Sequence, residues 1–159
     1  MSSLERENGK RWENYIRKEC AELKRLQRAW VDKNWEAPAV PGQHIKREAS
    51  KPDFSGFLMV TGMHVVFEAK ATLSKTSLPF SSIAKHQWEH LNKAYFSDAV
   101  SFVYVLDGAD RKWVFPWGAI LGAAKTRKSM PLVDGSPYQK QPGETWLGAL
   151  ARIEFSEFL

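Results

Sequence analysis

The seven residues Val100 to Leu106 constrain the fold most, because they form an almost continuously apolar run. A run of this kind is typical of a central strand that is buried on both faces of its sheet. It is far shorter than the ~18 apolar residues that a membrane-spanning helix needs, and no other apolar run approaches that length. The chain has 159 residues, about one domain's worth. We therefore expect one domain built around a sheet, with no membrane contact.

Apolar residues at three- and four-residue steps predict one long helix, roughly from Leu4 to Trp30. The stripe consists of Trp12, Tyr15, Ile16, Cys20, Leu23, Leu26 and Trp30. Because Cys20 is the single cysteine, an intramolecular disulfide is excluded and a cysteine-based zinc site is not expected. The N-terminal residues carry no apolar signal region, so we expect a cytoplasmic protein.

Two strand-like runs, Asp53 to Val60 and Met63 to Lys70, are separated by Thr61-Gly62, which predicts a tight hairpin. Further along the chain the patterns predict a helix from Ser81 or Ser82 to about Tyr95, a strand from Lys112 to Trp117, a short helix from Gly118 to Ala124 and an edge strand from Arg152 to Phe155. The sequence therefore predicts an α/β (α+β) domain with a central mixed β-sheet flanked by helices, in the order α-β-β-β-α-β.

Three charged residues share one face at one end of the predicted hairpin. A two-residue turn pairs Asp53 with Lys70 and leaves Glu68 diagonal to Asp53, at ~7–8 Å. Two carboxylates at that separation can jointly bind one Mg²⁺. Lys70 is then placed to orient the attacking water and to stabilise charge on a phosphate. The alternative is an exposed Asp53–Lys70 ion pair with an incidental Glu68, but the apolar residues before Glu68 favour the end of a buried strand.

The sequence around these charges resembles a known nuclease family. Pro52-Asp53 followed by Glu68-Ala69-Lys70 resembles the motif of the PD-(D/E)XK nuclease superfamily. Phe67-Glu68-Ala69-Lys70, Lys75-Thr76-Ser77-Leu78-Pro79-Phe80 and His86-Gln87-Trp88-Glu89-His90-Leu91 follow one another as in the RecU family of Holliday junction resolvases. The resemblance covers about Lys51 to Phe155. Gly9 to Glu13 is similar to a Gly-x-x-x-Glu element on the first helix of that family.

The resemblance implies a restriction-endonuclease-like core, a homodimer and Mg²⁺-dependent incision of four-way DNA junctions, with Mn²⁺ as a substitute. It assigns Asp53 and Glu68 to metal binding and Lys70 to catalysis. Glu13 is implied as an additional acid, and Gln87 as a residue that lines the site. On the predicted helix Gln87 borders the core, so its amide needs a partner. That partner could instead be a backbone group of the core.

Basic residues make a polyanionic partner plausible. The chain carries 23 Lys and Arg against 18 Asp and Glu, a net charge of +5. The stretch from Arg111 to Lys140 holds six basic residues and one acidic residue. Its net charge of +5 equals that of the whole chain. The predicted DNA contacts are Lys46, Arg47, Lys75, Thr76, Lys125, Arg127 and Lys128. For the run from Lys125 to Ser129, a solvated loop is the alternative.

The resemblance predicts one nuclease domain over residues 1–159, with a short protruding stalk-like segment at about 33–51. This segment is shorter than the stalk of the family, which is implied to enter the centre of the junction. Resolution of a junction needs cuts in two strands, so we expect a homodimer. The aromatic residues Trp12, Tyr15, Trp30 and Trp35 are its candidate interface, unless they pack inside one monomer.

Other functional classes find less support. The sequence has no P-loop, no Gly-x-Ser-x-Gly and no Gly-x-Gly-x-x-Gly, so no nucleotide cofactor is expected. His86 and His90 lack the partners of a zinc site. Two rivals stay open: a related repair or restriction-type endonuclease that acts on duplex DNA, and a non-catalytic DNA-binding module.

Overall fold

The structure is a computed structural model that describes residues 2–35, 41–42 and 51–155. The helices are α1 (Ser3–Arg25), α2 (Lys85–Phe96), α3 (Trp117–Ala124) and α4 (Trp146–Phe155). The strands are β1 (Ala29–Lys33), β2 (Phe54–Leu58), β3 (His64–Ala71), β4 (Ser77–Pro79), β5 (Val100–Leu106), β6 (Lys112–Pro116) and β7 (Ser129–Pro131). None of the described helices combines the length and apolar character that crossing a bilayer requires.

The central sheet has five strands in the order β1-β2-β3-β5-β6, and β4 pairs with β7 in a separate small sheet. β3 and β5 are parallel, whereas the other neighbours in the central sheet are antiparallel. The predicted mixed sheet flanked by helices is confirmed. β5 lies between β3 and β6 and is buried from Ser101 to Leu106, as its apolar sequence predicts.

Helices cover both faces of the central sheet. α1 and α4 pack on one face, around a core that includes Trp12, Trp146 and stacked phenylalanines. Phe67 of β3 stacks on Phe54 of β2 at 4.9 Å between ring centroids. α2 and α3 pack on the other face, around a second core. The two layers leave β3 in the middle of the molecule, where its alternate side chains enter opposite cores.

The first helix ends five residues earlier than predicted. Ser2 caps its start: the Ser2 hydroxyl accepts from the backbone N–H of Glu5, and the Glu5 carboxylate accepts from that of Ser2. The helix ends at Arg25 because Gln27 adopts a left-handed conformation, with φ 55°. The assignment of Trp30 to the helix was therefore wrong, because Trp30 lies in β1.

The C-terminal segment is a helix, so the predicted edge strand from Arg152 to Phe155 was wrong. The buried residues Trp146, Ala149, Leu150 and Ile153 are spaced as on one face of a helix. α2 also differs from its prediction. It begins at Lys85, and Phe80–Ser82 form a separate 3-10 turn.

The hairpin forms as predicted, but its register differs by two residues. Phe54 pairs with Phe67 and Gly56 with Val65. The connection is longer than two residues, since the N–H of Leu58 donates to the carbonyl of Met63. A two-residue turn of type I′ needs positive φ at both positions, whereas Gly62 has positive φ and Thr61 does not. Because a shift of two residues preserves the faces, the predicted segregation of side chains survives.

Of the four aromatic residues considered for an interface, Trp12 is buried inside the monomer. Tyr15 stacks on Trp12, with ring centroids 5.3 Å apart. Trp30 and Trp35 are exposed. Most of the stalk-like segment at about 33–51 lies outside the described residues.

Candidate active site

The corrected register brings two carboxylates together where β2 begins. Asp53 immediately precedes β2 and lies opposite Glu68, because Phe54 pairs with Phe67. Its Oδ2 accepts a hydrogen bond from the backbone N–H of Ala69 at 2.9 Å. The expected direct pairing of Asp53 with Lys70 was wrong. The nearer neighbour of Asp53 is Glu68, which strengthens the case for two carboxylates sharing one cation.

Glu68 is fully buried in the middle of the molecule. Its Oε1 has no hydrogen-bond partner in the structure. Burial, and then the adjacent Asp53 carboxyl group, raise the pKa of Glu68 to about 9. Both effects favour the protonated form of Glu68, whereas a cation bound beside it would favour the ionised form. The Oε1 atom of Glu68 is buried without a hydrogen-bond partner and lies beside a second carboxyl group. A cation bound there would satisfy it.

Gln87 of α2 joins Glu68 to Lys70. Its Nε2 donates to Oε2 of Glu68 at 2.8 Å, and its Oε1 accepts from Nζ of Lys70 at 2.6 Å. The same Oε1 accepts from the backbone N–H of Ala84 at 3.1 Å, which fixes the amide at the start of α2. Gln87 thus contacts the two charged side chains, and the backbone group that it bonds belongs to exposed Ala84 rather than to the core. That Gln87 lines a catalytic site stays a prediction.

Lys70 lies on the same side of β3 as Glu68, two residues further along the strand, as the period of a strand requires. Burial lowers the pKa of Lys70, and the carboxylates of Glu68 and Asp53 counteract that effect. The ammonium group donates three hydrogen bonds and cannot ligate a metal in its charged form. Lys70 therefore provides a positive charge and hydrogen-bond donors beside the carboxylate pair.

The donor set fits a hard divalent cation. Mg²⁺ in proteins is commonly held by one or two carboxylates, with water and substrate phosphates completing the shell. Asp53 and Glu68 provide that number. Within the described part of the chain there is no cluster of three or more His, Cys, Asp or Glu residues that could form a complete protein cage. With two protein ligands, the other coordination positions would be left to water and to substrate phosphates.

Glu13, the predicted additional acid, forms an ion pair with Lys33 of β1. No contact of Glu13 with Asp53 or Glu68 is present in the described residues. Lys33 is joined to the site indirectly, because the N–H of its neighbour Asn34 donates to the carbonyl of Asp53 at 2.9 Å. A role of Glu13 in catalysis stays a prediction.

The predicted DNA-contacting residues fall into three groups. Lys75 and Thr76 are exposed in the loop that precedes β4. Lys125, Arg127 and Lys128 are exposed between α3 and β7. Because β4 pairs with β7, these two groups flank one small sheet. Lys46 and Arg47 lie outside the described residues.

Sequence reasoning missed the residues that hold the loop after β3. Arg111 donates through Nη2 to the carbonyl of Lys75 at 2.7 Å and through Nε to Asp107 at 2.8 Å. Gly108 donates its N–H to the carbonyl of Ser74 at 2.9 Å. A Cβ at Gly108 would lie 2.1 Å from the carbonyl oxygen of Leu73. The β5–β6 turn thus fixes the backbone of this loop.

Asp107 is the buried centre of this turn. Burial alone would raise its pKa, but hydrogen bonds from the backbone of Arg111 and Ala109, and from the Trp113 and Arg111 side chains, lower the pKa overall. In the sequence, Asp107-Gly108 indicated only a turn and Arg111 was counted only as a charge. The available signal was an Asp that directly follows an apolar strand and precedes an Arg by four residues.

We expect Arg111→Gln to loosen the peptide bond that follows Lys75, because the guanidinium holds the carbonyl of Lys75. A hydrogen bond from a charged donor contributes about 1.5–3 kcal/mol, so native-state tryptic cleavage after Lys75 should accelerate about tenfold or more. Arg11→Gln is the matched control: it removes an exposed ion pair with Asp110 of the same turn without touching the loop. Equal cleavage rates in the two variants would contradict this role of Arg111.

The chain is similar in sequence to known proteins. The family model for Recombination protein U (RecU) matches residues 2–135. A Holliday junction resolvase RecU from Latilactobacillus sakei is 31% identical over 135 residues, which are 77% of this chain and 63% of that protein. Another, from Staphylococcus epidermidis, is 27% identical over 131 residues, 75% of this chain and 62% of that protein. The chain thus spans less than two thirds of the length of these relatives.

A solved structure, that of Archaeoglobus fulgidus Hjc, described as a Holliday junction resolvase, covers 79% of this chain and 88% of its own, with 16% identity and a TM-score of 0.47. The match to the Recombination protein U model covers most of this chain. The chain therefore belongs to the RecU family.

Proposed function

We propose that this protein is a metal-dependent endodeoxyribonuclease that resolves four-way (Holliday) DNA junctions. The observation that carries the proposal is the carboxylate pair formed by buried Glu68 and half-buried Asp53, with the Lys70 ammonium joined to Glu68 through Gln87. The names of similar proteins in the RecU family point to the same substrate.

In this proposal Asp53 and Glu68 hold Mg²⁺, for which Mn²⁺ can substitute. When bound, such an ion supplies a Lewis acid and lowers the pKa of a coordinated water. The chain's contribution is to fix two ligands on adjacent strands before the metal arrives. Asp53 is fixed by the N–H of Ala69 and Glu68 by the amide of Gln87, so little reorganisation is needed on binding.

Lys70 acts on the phosphate rather than on the metal. Its Nζ lies on the same face as the carboxylates and is held by Oε1 of Gln87. From there it can donate to a phosphate oxygen or to the attacking water and stabilise the negative charge that develops. Gln87 is a positioning residue, because it sets both the carboxylate of Glu68 and the ammonium of Lys70.

The exposed basic residues around the small β4–β7 sheet, together with the Thr76 hydroxyl, bind the DNA backbone. Lys75 and Thr76 on one side of the small β4–β7 sheet, and Lys125, Arg127 and Lys128 on the other, would contact phosphates on both sides of the scissile bond. Such contacts position the strand and carry no sequence information. The β5–β6 turn, through Arg111, holds the first of these groups in place.

Junction resolution needs two copies of this chain. The described residues build one hairpin site, whereas resolution requires cuts in two strands of like polarity. A homodimer with two-fold symmetry presents two equal sites to a junction that can itself adopt two-fold symmetry.

Substitutions at the site should separate cleavage from binding. We expect Glu68→Gln and Lys70→Ala each to slow Mg²⁺-dependent nicking of a four-way junction by about 10²-fold or more, the scale seen when one charge-stabilising group is removed. Junction binding without metal should change little, because phosphate contacts supply most of the affinity. Glu89→Gln and Lys93→Ala, at exposed positions of α2, are the matched controls. Nicking by Glu68→Gln at the rate of the unsubstituted protein would refute the proposed site.

The substrate is tested with a four-way junction beside a duplex made of identical arms, with nicks mapped on all four strands. We expect paired, symmetric nicks in the junction and little cutting of the duplex. Sedimentation at micromolar protein should give about twice the 18.2 kDa of one chain. Equal cutting of both DNAs would favour a duplex endonuclease, and a monomer that makes single, unpaired nicks would contradict the resolvase proposal.

A further inference from the structure

A groove of ≈ 490 Å³ runs between α1 and the edge strand β1. Arg17 and Lys24 line it from α1, and Lys33 and Trp35 line it from the other side. Arg17 and Lys24 are seven residues apart, so they share one face of the helix. Their separation along the helix is about 10 Å, a length that two or three nucleotide steps of a DNA strand cover.

Trp35 is the most exposed tryptophan among those described, with 71% of its surface accessible. The guanidinium of Arg17 lies 5.3 Å from its ring centroid, and Nζ of Lys33 lies 5.9 Å away. These contacts orient the indole but leave most of its surface open. A large aromatic ring held by cations and open to solvent is the arrangement that single-stranded nucleic acids use for base stacking.

The charges of the groove favour an anionic ligand. Lys33 is neutralised by Glu13, and the carboxylate of Asp32 accepts from the indole N–H of Trp30 at 3.2 Å. Arg17 and Lys24 have no ion-pair partner among the described residues. Three cations against one carboxylate line the groove, so a positive excess remains after the Lys33–Glu13 pair is counted.

The groove begins at the end of the sheet that carries the candidate active site. Lys33 pairs with Phe54 in the β1–β2 ladder, and the N–H of Asn34 donates to the carbonyl of Asp53 at 2.9 Å. Trp35 follows directly. A DNA strand that leaves the carboxylate pair across the β1 edge would therefore enter the groove at Trp35 and run along α1 towards Lys24.

We propose that this groove binds single-stranded DNA, with one unpaired base stacked on Trp35 and the flanking phosphates at Arg17 and Lys24. The inference deepens the proposed function and rests on it, because the base on Trp35 would be one that is unpaired at the exchange point of the same four-way junction, where the paired arms meet. Duplex DNA does not fit this role, since its bases are stacked on one another and are not free to stack on Trp35. The groove then favours DNA that has unpaired bases near the point of cleavage.

The test measures fluorescence anisotropy of a labelled oligothymidylate of about 20 nucleotides, with a blunt duplex of equal length in parallel, in EDTA so that no cleavage occurs. We expect Trp35→Ala to weaken single-strand binding about tenfold, since removal of a stacking platform has effects of this order. Trp35→Phe should restore most of the affinity, and duplex binding should hardly change. Phe96→Ala removes another highly exposed aromatic residue and serves as the control.

Arg17→Ala provides a second, independent variant. It should weaken single-strand binding and lower the slope of log affinity against log salt by about one phosphate contact. Arg6→Ala removes the same charge from an exposed position of the same helix, about 16 Å away, and should leave the slope unchanged. Equal slopes for both variants would overturn the phosphate assignment.

Two results would overturn the proposal that the groove binds single-stranded DNA. The first is single-strand binding that is indifferent to Trp35→Ala. The second is a change in sedimentation of Trp35→Ala from dimer to monomer, which would make this surface an interface between copies of the chain. Mg²⁺-dependent nicking of a four-way junction by the unsubstituted protein is measured separately. Single-strand binding through Trp35 without any nicking would refute the proposed function but support the DNA-binding role of the groove. Normal nicking, with single-strand binding that does not depend on Trp35, would refute only the role of the groove.

Discussion

The buried carboxylate of Glu68 is the constraint on which the rest of the site depends. An ionised carboxylate in a protein interior is strongly unfavourable unless it is paired or hydrogen bonded, and Glu68 is fully buried with one oxygen unpartnered. The neighbouring Asp53 makes the ionised state less favourable still. The fold thus places two carboxyl groups where the binding of a proton or of a cation is favoured. Such a position is costly for stability and useful for metal binding.

The surrounding structure holds this charge in place from three directions. The Phe54–Phe67 stack and the β2–β3 ladder fix the hairpin on which both carboxylates lie. The parallel partner β5 places Glu68 beside Val103 in the middle of the sheet. From α2, Gln87 contacts Glu68 and Lys70 at once. Since these supports belong to different elements, the site forms only when the whole sheet and its covering helix are assembled.

The sequence predicts the face of each strand better than the register between strands. Alternation along the hairpin placed Asp53, Glu68 and Lys70 on one side, and a register error of two residues left that result intact. Thr61-Gly62 has the sequence pattern of a complete two-residue turn, whereas the connection in the structure is longer. The sequence does not mark the end of α1, because the residue that ends the helix in a left-handed conformation is Gln27. Glycine is the residue that usually signals such an end. The Arg111–Lys75 contact spans 36 residues, and no local pattern encodes it.

The central claim is that Asp53 and Glu68 form a divalent-cation site, and its most direct test is Mn²⁺ binding to the full chain without DNA, followed by electron paramagnetic resonance. The account predicts that Asp53→Asn and Glu68→Gln each weaken Mn²⁺ binding at least tenfold, while the exposed Glu89→Gln binds like the unsubstituted protein. Affinity should rise from pH 6 to pH 8, because a proton competes with the metal for the carboxylate pair. Mn²⁺ binding that is unaffected by Glu68→Gln would contradict the account.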